Sequence, residues 1–360
     1  MKKFKFKNGY LKTPVFFPDA TRAVIRALDS KDIKETKTRG VLVNTYHLYT
    51  DLGEKALKKF RGIRQFMGFE GAVISDSGGF QVMSLCKTHN GKVTDEGVKF
   101  NLSKNKSMLL TPEKSIKYQM LLNPDMLVVL DDFTMPRANK RQARESVERT
   151  ILWARRCKVE FEKICKKKKI AKKDRPYLLA VIQGGKYQDL RKECGLRLRK
   201  IGFDGYGYGG WPMNEDNKFD LISAKTIVKA VGNDKFLYGL GIGKPEDIVA
   251  CVKLGFNIFD CVLPTRDARH GRLYVYKAES IDKIDVNKKN FYEYLSPKRG
   301  RYANDNSPIS KACDCLLCRK YSRAYLYHLF KIKDLTAYRL ATIHNLRFYS
   351  ILMEKLQLQG

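Results

Sequence analysis

Three thiols within six residues, Cys313-x-Cys315-x-x-Cys318, form the most specific purely chemical signal in the chain. In a reducing compartment this spacing suits tetrahedral zinc. A fourth ligand is required, and two histidines stand downstream: His328 and His344, both in a stretch (323–354) that reads as one helix. A redox role for the thiols is the lesser alternative. Four protein ligands make a closed, structural site, so catalysis has to be sought elsewhere.

The other chemistry-bearing residues stand where apolar runs end. Val73-Ile74 runs into Ser75-Asp76-Ser77-Gly78-Gly79, offering a carboxylate for acid–base work beside glycines whose backbone can approach a ligand. The plain alternative is a turn with a capping acid. Met126-Leu127-Val128-Val129-Leu130 ends in Asp131-Asp132. Adjacent strand residues point to opposite faces, so only one of these acids can face a site, and it could accept hydrogen bonds from a purine's N1–H and amine. Gln183-Gly184-Gly185 closes a further run with an amide that donates and accepts, or is only a turn. The glycine-rich 202–212 segment, with Gly209-Gly210 and Trp211-Pro212, reads alone as an irregular strand and turn, and otherwise as a backbone wall against a flat ring. Phe259-Asp260-Cys261-Val262-Leu263-Pro264-Thr265-Arg266 places an acid at a run's end, followed by Arg266, Arg269 and Arg272. Basic neighbours should keep that acid ionised, as a nucleophile needs, while the arginines could hold phosphates or read base edges. The alternative there is an internal Asp–Arg ion pair.

Residues spread over the chain act together only if strand ends converge. Apolar, β-branched runs at 41–43, 72–74, 126–130, 177–182, 236–238 and 256–259 alternate with helix-start chemistry such as Thr111-Pro112-Glu113 and Lys244-Pro245-Glu246. This alternation implies a parallel sheet with helices outside. Because almost every run ends in polar or glycine residues, and no G-x-G-x-x-G follows the first one, a (β/α)₈ TIM barrel is favoured over an open doubly wound sheet.

Bulk composition narrows the setting. Of 360 residues, 43% are hydrophobic, enough for a packed core, and no stretch approaches a membrane span. The basic start lacks an apolar block, so no secretory signal is expected. Nine cysteines, an odd number, argue against a disulfide scaffold, and a cytoplasmic protein with reduced thiols is expected. Lysine and arginine number 70 against 38 acids, a formal charge of +32. Such a surface attracts polyanions, nucleic acid first, although lysine runs such as 166–169 read as a solvated loop or helix end.

Taken together, these residues resemble the tRNA-guanine transglycosylases, or queuine tRNA-ribosyltransferases. The matching pieces are Asn44-Thr45-Tyr46-His47-Leu48, Asp76-Ser77-Gly78-Gly79-Phe80-Gln81, Gln183-Gly184-Gly185, Gly209-Gly210, Tyr238-Gly239-Leu240-Gly241, the Phe259–Arg266 string and the Cys313, Cys315, Cys318 set with His344. They occur in the family's order and span most of the chain. The resemblance implies a (β/α)₈ catalytic barrel over 1–295, and a zinc-binding subdomain with a C-terminal helix over 296–360. It implies a pentosyltransferase of tRNA processing and queuosine biosynthesis that swaps guanine at the anticodon wobble position for a 7-deazaguanine. Asp260 would be the nucleophile on the ribose and Asp76 the general acid/base. Asp131, Gln183, Gly209, Gly210, Ser77 and Leu240 would bind the base, with Phe80 stacking on it. Thr265, Arg266 and Arg269 would contact the anticodon loop. His344 would complete the zinc site, and a homodimer would form through that region.

The chemistry agrees with these roles. Exchange of bases on one sugar with retained configuration needs two inversions through a covalent ester, and no organic cofactor. The target base must leave its stack, at less cost in a loop than in a duplex. Two departures bear on the incoming base: Phe133 stands where bacterial members carry cysteine, and Trp211-Pro212-Met213-Asn214-Glu215 replaces Leu-Ala-Val-Gly-Glu. A bulky Phe133 would crowd queuine's cyclopentenediol, which favours 7-aminomethyl-7-deazaguanine. The chain stops soon after His344, which favours the anticodon loop over the D-arm target of archaeal relatives with extra C-terminal domains. Competing readings are a noncatalytic RNA-binding subunit, against which both Asp76 and Asp260 argue, a transglycosylase acting on DNA, and a metal-dependent hydrolase barrel, for which only His47 is available at a strand end.

Overall fold

The computed structural model describes residues 2–79, 91–103, 106–214 and 216–359. Eight parallel strands lie in sequential order: β1 (Val15–Pro18), β2 (Gly40–Asn44), β3 (Ala72–Asp76), β4 (Met126–Val128), β5 (Tyr177–Ile182), β6 (Gly205–Tyr208), β7 (Phe236–Gly239) and β8 (Ile258–Cys261). Strand β8 pairs back onto β1, and β1 continues to β2 through a parallel bridge between Asp19 and Leu42, so the sheet closes nearly completely. This is the expected (β/α)₈ architecture.

Helices clothe it: α1 (Ser30–Glu35), α2 (Thr45–Lys59), α3 (Ile63–Met67), α4 (Pro112–Leu122), α5 (Lys140–Lys167), α6 (Gln188–Ile201), α7 (Leu221–Val231), α8 (Pro245–Lys253) and α9 (Leu263–Arg269). The sequence writes their starts. Thr111 caps α4 by accepting the Lys114 N–H, with Pro112 at the first position, and Asn139 and Gln142 form a reciprocal capping box on α5. The lysine run ends α5, where cations suit the helix C-terminus.

Strand parity separates two cores. Phe17, Ile74, Val128, Val181, Tyr238 and Ile258 point into the barrel. Their neighbours Phe16, Val73, Leu127, Ala180, Leu237 and Phe259 point out against the helices. A β-hairpin (Lys3–Phe6 with Gly9–Lys12) plugs the barrel's N-terminal end, its Phe4 packed on Phe17, Tyr177 and Phe236. A three-stranded antiparallel sheet (Lys92–Thr94, Gly97–Ser103, Lys106–Leu110) is inserted between β3 and α4.

Beyond α9 come an antiparallel pair, β9 (Leu273–Tyr276) and β10 (Tyr292–Leu295), and then α10 (Leu316–Lys320), α11 (Arg323–Lys331) and α12 (Leu335–Leu358). The single helix expected over 323–354 is in fact two. Lys333 adopts a left-handed conformation (φ 59°), and Asp334 restarts the chain by accepting the Thr336 N–H. Helix α12 packs against the barrel, with Tyr349 on Phe16 (4.6 Å between ring centres) and Arg339 bonded to Asp32 of α1.

Two strands escaped the sequence reading. Val15–Pro18 is short and ends in proline. Glycines dilute Gly205–Tyr208, yet it is a regular buried strand, not an irregular one. Gly207 is required there, because a Cβ would lie 2.2 Å from Leu240 Cδ1 inside the barrel.

Candidate active site and metal centre

The same parity that fills the barrel with apolar side chains selects the residues at its C-terminal mouth. Continuing the inward-facing series of seven strands by one step past the apolar layer reaches Asp19 after β1, Asn44 on β2, Asp76 on β3, Gln183 after β5, Gly209 after β6, Leu240 after β7 and Asp260 on β8. A TIM barrel carries its chemistry at this end. A surface groove of about 690 Å³ lies elsewhere, beside Phe6, Lys34 and Glu70. That groove has no convergent cluster of carboxyls, and the mouth has one.

Asp76 accepts a hydrogen bond from Asn44 Nδ2 (2.8 Å), and its backbone carbonyl accepts one from Thr45 Oγ1 (2.5 Å). Burial pushes its carboxyl up to about 6, against the Ser77 and Gly78 N–H groups and Asn44, which favour the charged form, and with Asp19 adding repulsion. Asp260 is only 8% exposed, and its Oδ1 accepts the Gly241 N–H at 3.0 Å. Burial first, with the charges of Asp76 and Asp19 adding to it, raises it to about 7. The expectation that arginines hold Asp260 ionised is therefore wrong. Among the described residues Asp260 makes no ion pair: Arg266 and Arg269 ride on α9, where Arg269 donates to the Thr265 carbonyl (2.8 Å), and Arg272, just past it, approaches Asp267 (3.8 Å).

Asp131 and Asp132 face different ways, although both lie past the end of β4, where the strand's alternation no longer decides it. Asp131 accepts from Gln183 Nε2 (2.6 Å), and burial raises it to about 7, with Asp76 and Asp132 adding repulsion. Asp132 is buried on the outer side and paired with Arg149 of α5. The same Gln183 accepts the Thr134 N–H with its Oε1 (3.1 Å), so its amide is oriented, carbonyl toward Thr134 and NH₂ toward Asp131. Gly209 is packed against it, and a Cβ there would sit 2.7 Å from Gln183 Nε2. Gly210 turns the chain with φ 83°.

Not every expected residue presents its side chain at the mouth. Ser77 is buried, and its hydroxyl accepts the Gly79 N–H (3.2 Å). Thr265 is also buried, its hydroxyl donating to the Val262 carbonyl (3.1 Å). Arg266 is exposed, Arg269 half-buried and Leu240 half-buried at the barrel's rim. Phe80 and Glu215 lie outside the described residues.

Three further participants were missed. Asn44 and Asp19 follow the same strand-end rule as the acids. Arg191 on α6 carried no sequence signal. Its buried guanidinium donates to the carbonyls of Ile182 (3.1 Å), Gly209 (3.0 Å) and Gly185 (2.8 Å), bracing both glycine turns from behind.

The second site is separate. The ligand atoms of Cys313, Cys315, Cys318 and His344 all lie within 4.8 Å of one another. His344 Nδ1 stands 3.7, 3.6 and 3.3 Å from the three sulfurs in turn. A tetrahedron with metal–sulfur bonds of about 2.3 Å and a metal–nitrogen bond of about 2.0 Å has S···N edges of roughly 3.6 Å, so the donor set fits a metal ion. His344 Nε2 lies 2.8 Å from the Tyr274 carbonyl, which as an acceptor fixes the tautomer and turns the Nδ1 lone pair to the thiols. Asp314, between the first two cysteines, is held by the buried Arg347 of α12 (Nε to Oδ1, 2.5 Å). Of the two candidate histidines, His344 is the one in place.

Comparison with known proteins gives one consistent result. The family model described as "Queuine tRNA-ribosyltransferase" matches residues 1–359. A queuine tRNA-ribosyltransferase of Shewanella sp. (strain W3-18-1) is 37% identical over 353 residues, covering 98% of this chain and 88% of the relative. Those of Shewanella baltica (strain OS155) and Shewanella sp. (strain ANA-3) are 37% and 36% identical over the same extents.

Proposed function

The chain belongs to the queuine tRNA-ribosyltransferase family, and from that premise we propose that it exchanges guanine at the anticodon wobble position of tRNA for a 7-deazaguanine, through a ribosyl ester on Asp260. The observation that carries this reading is the placement of Asp76 and Asp260 on inward positions at the C-terminal ends of β3 and β8, each with its proton affinity raised toward neutrality.

In the first displacement a carboxylate oxygen of Asp260 attacks the ribose anomeric carbon. The glycosidic C–N bond breaks, its electron pair leaves with guanine, and Asp76 supplies the proton that makes guanine a tolerable leaving group. In the second, Asp76 takes a proton from the incoming base, whose nitrogen displaces Asp260 with a second inversion. Asp131 and Gln183 hydrogen-bond the purine edge, the turn at Gly209-Gly210 lies along it, and Leu240 and Phe80 flank the ring. Ser77 contributes through its backbone. Arg266 and Arg269 hold the anticodon loop. Zinc on Cys313, Cys315, Cys318 and His344 is structural, and two copies associate through that region. Phe133, two residues past Asp131, favours 7-aminomethyl-7-deazaguanine over queuine as the incoming base.

The test is exchange of radiolabelled guanine into tRNA, with mass spectrometry of the base inserted from each candidate deazaguanine. Asp260→Asn should abolish exchange and the trapped protein–RNA adduct while retaining zinc. An adduct that persists in Asp260→Asn would refute the nucleophile assignment.

A further inference from the structure

Tyr274 on β9 is gripped at three points. Its backbone carbonyl faces Nε2 of His344 (2.8 Å), and its backbone N–H donates to Oδ1 of Asn345 (3.2 Å). Its hydroxyl donates to Oδ2 of Asp267 (2.7 Å). Asp267 lies in α9, which begins two residues after Cys261 and carries Arg266 and Arg269. Asn345 is wholly buried, and its Nδ2 donates to the carbonyls of Pro264 (2.9 Å) and Arg272 (3.0 Å), the two ends of the α9 segment. Two consecutive residues of α12, one a member of the Cys₃His cluster, thus fix Tyr274 and the helix that follows Asp260.

We propose that Tyr274 and Asn345 are positioning residues that carry the fixed geometry of the Cys₃His cluster into α9, and so set the placement of its arginines for RNA. The proposal rests on the reading of α9 as an RNA-contacting element. The physical reason is the density of satisfied bonds. A seven-residue helix has little stability of its own, so its orientation is whatever its anchors impose. Here the anchors are one amide bonded to three backbone groups and one phenol bonded to a buried carboxylate. Tyr274 has no slack, since its ring is packed on Phe348 and Tyr349 with centres 5.3 and 5.4 Å away. None of these contacts touches Asp76 or Asp260, so loosening the bracket should cost RNA binding and not chemistry.

Tyr274→Phe deletes one hydrogen bond and keeps all four cluster residues. In the zinc-loaded protein it should raise the KM for tRNA at least fivefold, with kcat and the KM for free guanine within twofold and zinc content unchanged. Amide hydrogen exchange over 263–272 should accelerate about tenfold, as it should on chelation of the wild type. Asp267→Asn, which keeps an acceptor for the phenol, should retain the wild-type KM for tRNA, whereas Asp267→Leu should not. An unchanged tRNA KM in both Tyr274→Phe and Asp267→Leu, or a fall in kcat at constant KM, would overturn the proposal. So would a 263–272 segment whose exchange ignores chelation. Guanine exchange by the wild type is scored separately, so failure of the bracket and failure of the proposed function give different results.

Discussion

Three carboxyls at one barrel mouth cannot all ionise cheaply. Asp260 and Asp131 are pushed to about 7 and Asp76 to about 6, in each case first by burial. The sign matters for rate. A carboxyl raised to about 7 is mostly protonated at pH 6, while Asp76, at about 6, must hold the proton it gives to guanine, so activity should rise toward pH 6 and fall above about 7. The protons are shared, so the limbs belong to the set and not to one residue. Asp19 is not placed to react, yet its charge raises both Asp260 and Asp76. Asp19→Asn keeps an acceptor for the Thr21 N–H (3.1 Å) and removes that charge. The kcat/KM profile should be a bell with limbs near pH 6 and pH 7 in the wild type, and both limbs should shift to lower pH, by up to about one unit, in Asp19→Asn. A pH profile of guanine exchange for both proteins checks this, and unmoved limbs would show that Asp19 does not act on the mouth.

At the scale of elements, much of the site was legible because a barrel turns chain order into geometry. An apolar run gives a strand, its parity gives the inward face, and its last inward residue faces the mouth. That logic reached Asp76, Gln183 and Asp260 from sequence, and it applies equally to Asp19, whose strand was too short to register. What a linear reading cannot supply is which charges meet. The arginines six to twelve residues past Asp260 looked like its partners, but a helical turn carries them away, and Asp260 instead accepts the Gly241 N–H. Arg191 was invisible for a related reason, since its partners are carbonyls, which every residue has. Its guanidinium lies over the Tyr208 ring (4.7 Å) and holds both glycine turns. Arg191→Leu would strand those carbonyls in the interior. It should destabilise the protein by roughly 3 kcal/mol, measured by denaturant unfolding. In the folded fraction it should raise the KM for guanine about tenfold while leaving the KM for tRNA nearly unchanged. Equal changes in both constants would show that Arg191 supports the fold alone.

For the whole molecule, the formal charge of +32 must be set beside how little of it enters the mouth. The cations described there are turned outward or occupied with carbonyls, as Arg266 and Arg191 are. In the proposed exchange guanine is neutral and would be held by directed hydrogen bonds, whereas the RNA that presents it is a polyanion. The two affinities therefore depend on different physics. Phosphate contacts release condensed counterions and weaken steeply with salt; base contacts in a buried pocket do not. If about five phosphates of single-stranded character are neutralised, raising salt from 50 to 200 mM should raise the KM for tRNA on the order of 10²-fold. The KM for free guanine should stay within twofold. Arg266→Gln should lower the slope of log KM for tRNA against log salt by about 0.7, the share of one phosphate on a single strand. Exchange kinetics at four salt concentrations measure both quantities. A tRNA KM insensitive to salt would mean that the charge is a property of the surface at large and plays no part in presenting the anticodon loop to the barrel.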